Sequence, residues 1–386
     1  MNIMNKKLFS MMLMAGMVCF SACSDDNDNN GGGDGGGDTT LTGEISQDMT
    51  INAGEQWTLD GVCRVKSGAT LTIGAGVTIT AKDDDILDYI LVEQGAKIIA
   101  EGTASNPIIM TTEHQAAGAW GGLHICGRAH TNVSGGTGNS EIGGATYGGN
   151  DDNDNSGSLK YVRIEYGGYP IDTETEANGI TFYGVGSGTV VENCQAYMCS
   201  DDGFEWFGGS VNVRNLISVN CSDDSFDWTE GWNGTATNLL AYQEAENTLG
   251  YNCDCLIEAD NNGSDPEGAT PVSFPTLQNL LLVGNGSDTQ GIRLRAGTKV
   301  HIDGAIVCGK GMPLTVETTQ TETSLKDGES TLQNMTISAD LVSEQGIYTN
   351  ADFIAGTGNS VNANLSYTLA EAIDACDWIT GNWVKQ

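Results

Sequence analysis

Short apolar runs return along this chain at a nearly fixed interval, most of them opened by asparagine. NCQAYM begins at Asn193, NLISVN at Asn215 and NLLAYQ at Asn238. After an interruption, NLLLVGN begins at Asn279 and DGAIVCG at Asp303. Residues 199–206 (CSDDGFEW) come back 22 positions later as residues 221–228 (CSDDSFDW). Strand-length runs with a period near 22, and no long helical periodicity, predict the coils of a parallel β-helix. Upstream, SGATLTIGAGVTITA and EQGAKIIAEGTASNPIIMTT read as earlier coils, and WGGLHIC from Trp120 opens another.

Coils of such a solenoid stack about 4.8 Å apart. The repeat therefore predicts Asp201 beside Asp223, Asp202 beside Asp224, Glu205 beside Asp227 and Trp206 beside Trp228. Like charges at that spacing need a cation, a hydrogen-bonding partner or open water. Two long segments interrupt the period, residues 131–158 and 253–274, both rich in Gly, Asn and Asp. Loops of this length are usually functional or disordered. Thr368 and Glu371 form a capping-box pair opening a short C-terminal helix, which would cover the open edge of the solenoid. The fold class expected is all-β: a right-handed parallel β-helix over residues 41–386, with long inserted loops and a short C-terminal capping helix.

The ends and the composition add a location. Lys6 and Lys7 precede the apolar run LFSMMLMAGMVCF, so residues 1–22 read as a signal peptide. Residues 20–23 (FSAC) resemble the lipobox of bacterial lipoproteins, which implies cleavage before Cys23 and its lipidation. Residues 23–40 read as an acidic, Gly-rich tether. An acidic stretch directly after the lipidated cysteine resembles the surface-export signal of some Gram-negative lipoproteins. The expected location is the outer membrane at the cell surface, held by the lipid anchor, with a glycan or an outer-membrane transporter as partner. A formal net charge of −35, with only 16 Lys and Arg, excludes a nucleic-acid role. Cys199 and Cys221, one period apart, are expected to stack as thiols or to form a bridge.

YVRIEYGG, NGITFYGVGSGT, DDGFEWFGGSV, DDSFDW and GIRLRAGT, with WGGLHICG upstream, together resemble a family of bacterial secreted β-helix proteins. The resemblance implies the fold and an exported, often lipid-anchored life; it brings no catalytic residue.

Three constellations could carry chemistry. Asp201, Asp202, Glu205, Asp223, Asp224 and Asp227 could bind cations or a ligand, calcium above all, or supply a carboxylate pair for glycoside hydrolysis. The alternative is a scaffold of Ser-Asp-Asp turns whose side chains accept from backbone amides. Trp206 and Trp228, if outward, would give a glycan a stacking surface. Asp152, Asp154 and Ser156 present oxygens at alternate positions before Gly157, as a calcium loop does, although the distal Glu of that motif is missing. Asp202, Asp224, Arg293 and Arg295 echo the order of catalytic groups in β-helix pectin hydrolases, without the histidine motif. A lyase would want an Arg or Lys base; Arg163, Arg214, Arg293 and Arg295 are candidates, and each could equally pair with a carboxylate. A calcium-stabilised binding or structural protein and a polysaccharide hydrolase or lyase are the two functions these residues allow.

Overall fold

The computed structural model describes residues 39–84, 86–171 and 177–386. The signal peptide, the lipobox with Cys23 and nearly all of the tether lie outside the described residues. Residues 39–386 form one compact unit. Among the described residues no helix is long and apolar enough to cross a membrane.

The chain winds into stacked coils with three faces of parallel strands. The first face runs from Met49–Ile51 to Thr331–Ile337, with the interior register column Ile51, Ile73, Ala100, Leu159, Val191, Val213, Ala236, Leu277, Ile302, Leu332. Every member is buried because alternate side chains of a strand point to opposite sides. The second face carries Met110, Ile164, Ala196, Ser218, Ala241, Leu282, Val307 and Ile337 inward. The third face includes Tyr89–Val92, Leu123–Cys126, Ile180–Tyr183, Phe204–Phe207, Phe226–Thr229 and Ile257–Ala259. This is the parallel β-helix expected from the period.

The asparagines mark the corner between the first two faces. Asn193, Asn215, Asn238 and Asn279 have φ of 57°, 59°, 63° and 60°. Asparagine tolerates this left-handed region better than other non-glycine residues. Each amide of the stack donates to the one a coil earlier: Asn215 to Asn193 at 2.8 Å, Asn238 to Asn215 at 2.7 Å, Asn279 to Asn238 at 2.6 Å. The periodic asparagine therefore supplies both the bend and a ladder that sets the coil register.

Trp206 and Trp228 are each 1% exposed and point into the solenoid. Trp206 stacks on Phe182 at 5.7 Å and on Trp232 at 4.6 Å between ring centroids. The inward phase of the strand puts both indoles in the core as stacked aromatics of the scaffold, so neither Trp206 nor Trp228 offers a glycan an outward surface. All nine described cysteines are free and buried, Cys199 and Cys221 among them.

The C-terminal helix Leu369–Ala375 forms with its Thr368–Glu371 capping box, but it does not close the solenoid. Ala372 packs with Leu240 and Tyr242 on the outside of the second face. The end is closed by Phe353, fully buried with Leu332, Ile337 and Leu341 in the interior cluster. Beyond the helix the chain runs back across earlier coils. Asn382 N donates to Ala104 O, Arg163 donates to Trp383 O, and Gln195 exchanges two hydrogen bonds with the Lys385 backbone.

Candidate acidic cleft

Residues 131–158 are not a bare loop. They carry the antiparallel pair Thr137–Asn139 and Thr146–Gly148. Ile142, Ala145 and Tyr147 from this insert pack with Tyr89, Leu91, Tyr183 and Phe207 on the outer side of the third face. The second interruption contains a solenoid strand of its own, Ile257–Ala259, which pairs with Asp227 and Trp228 on one side and with Ile292–Leu294 on the other. The third face thereby gains a covered outer surface.

One outward register column runs along that surface: Arg64, Leu91, His124, Thr181, Glu205, Asp227, Glu258, Arg293, Thr315. Three carboxylates stand in succession and an arginine ends the run. One oxygen each of Asp202, Glu205 and Asp227 lies within 4.8 Å of the others, and so does one each of Asp224, Asp227 and Glu258. Asp201, Asp202 and Asp223 form a further group. Asp227 belongs to two of these groups, and its Oδ1 is buried with no hydrogen-bond partner.

The acids divide by what they touch. Asp202 Oδ1 accepts from Asp224 N at 2.9 Å, and Asp224 Oδ1 accepts from Cys255 N at 2.6 Å. Asn178 begins the same ladder by accepting from Asp202 N at 3.2 Å. Asp202 and Asp224 are thus turn scaffold, each tied to the next coil and about 5% exposed. Glu205 accepts from Asn178 Nδ2 at 2.5 Å. Burial first, then the neighbouring carboxylates, push Asp202, Glu205, Asp224 and Asp227 well above the ordinary carboxylate range. Burial also raises Glu258, against the pull of Arg295 and Arg293.

Neither arginine is available as a base. Arg293 bonds Glu258 at 2.8 Å and Glu317 at 2.7 Å, and Arg295 bonds Glu258 at 2.7 Å and Asp260 at 2.6 Å. Arg163 pairs with Glu165 and Arg214 with Glu192. Lys310 is buried, with its ammonium turned to Cys253 O, Asn285, Ser287 and Thr289.

In the half-motif for calcium at residues 152–157 two of the candidate ligands are engaged by the backbone. Asp152 Oδ1 accepts from His130 N and contacts its ring, Asp154 Oδ2 accepts from Arg128 N, and Ser156 is buried with its hydroxyl unbonded. Asp152 and Asp154 thus fasten the turn to the Arg128–His130 segment.

Beside the acid column the two inserts wall a cleft of about 790 Å³. Phe207, Asp227 and Thr229 form part of its floor. Asn132 to Gly136, Asn262 to Asp265 and Gly268 to Thr270 line its sides, with Glu230, Asp260 and Asp265 adding carboxylates. Among the described residues no Lys, Arg or His lines it. Glu230 accepts from Tyr147 and Thr131 hydroxyls, both at 2.7 Å, and burial raises its pKa against those bonds. Glu230 and Glu258 escape a reading of the CSDD repeat because neither lies in it. The alternation in Leu256-Ile-Glu-Ala259 was the available signal for Glu258.

The family model of the Pectate-lyase like beta helix domain matches residues 43–384. The chain belongs to that family. No curated protein matches the chain, and no solved structure does. Membership in the pectate-lyase-like family accords with the three-faced parallel solenoid and with a polysaccharide lyase or hydrolase as one possible activity; it assigns no residue a role.

Proposed function

We propose that this protein is an exported binding protein, lipid-anchored through Cys23 at the outer membrane and displayed on the cell surface. Its acid column holds calcium at the edge of the cleft, and the cleft takes a glycan that is neutral or bridged by the cation. The observation that carries this reading is Asp227: a carboxylate shared by two clusters of hard oxygen donors, with one oxygen buried and unbonded. Calcium favours six to eight oxygen ligands and carboxylates above all. Asp227 with Glu205 and Glu258 supplies such donors. Cys255, beside Asp224, is held as a neutral thiol by burial, so a soft metal is a poorer fit there. The surrounding negative charge opposes a bare polyuronate. Anchoring and display rest on the sequence of residues 1–40, and a transporter partner would follow from that location.

Calorimetric titration of the full mature chain with calcium is the test. Binding in the micromolar to millimolar range, lost in Asp227→Asn, supports the reading; no heat of binding at either pH 6 or pH 8 counts against it.

One observation favours a second reading, a polysaccharide hydrolase. Glu230 and Asp227 line the same cleft, and burial keeps both protonated to higher pH than usual, as a general acid requires. Asp202 and Asp224, the pair first suggested by the repeat, are committed to backbone amides. Release of reducing ends from a polysaccharide panel, lost in Glu230→Gln, would favour the hydrolase over the binding protein. A lyase lacks a free cationic base among the arginines described.

A further inference from the structure

The returning C-terminal segment leaves a second cleft, of about 590 Å³, against the outside of the second face. Its floor is the register column Leu281, Ile306, Thr336. That column spans three coils, or about 10 Å at the usual strand spacing. Tyr367 and Trp378, both half-buried, stand on the side of the returning chain. The opposite rim is the asparagine corner, at Asn279, Gly304 and Asn334.

The corner is broken at this cleft. The ladder runs from Asn193 to Asn279, but Gly304 follows, and Asn334 donates instead to Asp303 at 2.6 Å. Among the described residues no group donates to Asn279 Oδ1. The missing rung leaves an outward acceptor, and a Cβ built on Gly304 would meet nothing closer than 3.7 Å. Among the described residues Asp377 is the one charged residue lining the cleft.

We propose that this cleft binds a neutral saccharide, as a second site separate from the acidic cleft. A pyranose presents an apolar C–H face and a rim of hydroxyls. The C–H face suits Trp378, Tyr367 and the Leu281–Ile306 floor. A hydroxyl donates to Asn279 Oδ1 in the space where every other coil of the ladder places an asparagine amide. The near absence of charge in the lining selects a neutral sugar over a uronate. Two coil steps match the length of a disaccharide unit.

Gly304→Asn is the decisive variant. Gly304 has a positive φ of 83°, wider than the 57° to 63° of the ladder asparagines, so asparagine, the side chain that tolerates this region best, completes the ladder and fills the site at a modest backbone cost. The probes are cello-, xylo-, manno- and maltohexaose, with polygalacturonate as control, followed by saturation-transfer NMR and calorimetry. At least one neutral hexaose is expected to bind with a Kd of about 1 mM or tighter. Trp378→Ala should weaken it by about tenfold through loss of the stacking face. Gly304→Asn should abolish the binding that Trp378→Ala weakens, with the melting temperature lowered by no more than a few degrees; sugar held in the acidic cleft is a separate binding event that neither variant moves. Failure of all four hexaoses, or binding indifferent to both Trp378→Ala and Gly304→Asn, would overturn the proposal. Neutral-hexaose binding that both variants leave unchanged and that Glu230→Gln removes would place the sugar in the acidic cleft alone and overturn it too.

Discussion

Replacing Asp227 by asparagine removes one charge from the centre of the acid column while keeping the side-chain shape. Asp227 has an oxygen within 4.8 Å of those of Glu205 and Asp202, and of Asp224 and Glu258. At that separation two ionised carboxylates repel by about 3.5 kcal/mol at an effective dielectric near 20. Retained protons relieve part of this, so the net gain expected from Asp227→Asn at pH 8 without calcium is about 1–3 kcal/mol. The pH dependence has a definite sign. Asp202, Glu205, Asp224, Asp227 and Glu258 all have raised folded-state pKa values. The folded chain therefore holds more protons than the unfolded chain. That stability is fully present below about pH 4, the unfolded carboxylate range, and is lost as pH rises through the raised values. Melting of wild type and Asp227→Asn at pH 5 and pH 8, with EDTA or with calcium at one scan rate, checks each step. Wild type in EDTA should melt lower at pH 8 than at pH 5. The variant should gain roughly 2–5 °C at pH 8 and much less at pH 5. Calcium should restore wild type at pH 8 and do little for the variant. A wild-type melting temperature in EDTA equal at both pH values, with no gain in the variant, would mean that the column carries no net repulsion.

Three further outcomes are expected. Arg293→Leu strands Glu317, 10% exposed at the side chain, and leaves Glu258, 15% exposed, to Arg295 alone; a loss of about 2–4 kcal/mol should appear in denaturant melts, and Glu317→Gln in the same chain should recover part of it. Trp383→Ala removes a side chain 1% exposed at the end of the returning segment; the local cost of about 3 kcal/mol should free that segment, read as faster amide exchange over 376–386 with little change in the solenoid. Cys23→Ser should abolish detergent-phase partitioning of the mature protein, and partitioning equal to wild type would contradict the lipobox reading.

Much of the fold was legible because a solenoid writes its geometry into the period. The recurrence of Asn193, Asn215 and Asn238 encodes both the left-handed bend and the amide ladder, and CSDD–CSDD fixes which residues are neighbours across coils. Glu205 opposite Asp227 and Trp206 opposite Trp228 followed from that register. The direction of the side chains did not follow. An isolated FEWF has two possible phases, and the core took Phe204 and Trp206, leaving Glu205 outward. The repeat could also not tell Asp202 and Asp224, which cap backbone amides of the next coil, from Asp227, which does not. Glu258 was hidden because the enlarged coil shifts it out of the 22-residue beat. Glu230 was hidden because its cleft exists only where two inserts, far apart in sequence, close over the third face. The C-terminal helix shows the same division: local capping chemistry located it, but only tertiary packing decided that Phe353 closes the end while the helix lies along the second face.

Anomalous diffraction can see a cation at Asp227 itself. Crystals of the mature chain grown with manganese or terbium in place of calcium should give an anomalous peak within about 2.6 Å of Asp227 Oδ1, shared with a carboxylate oxygen of Glu205 or Glu258. No peak at the column, with Asp227 Oδ1 bonded only to water or to a protein donor, would mean that Asp227 is not a cation ligand.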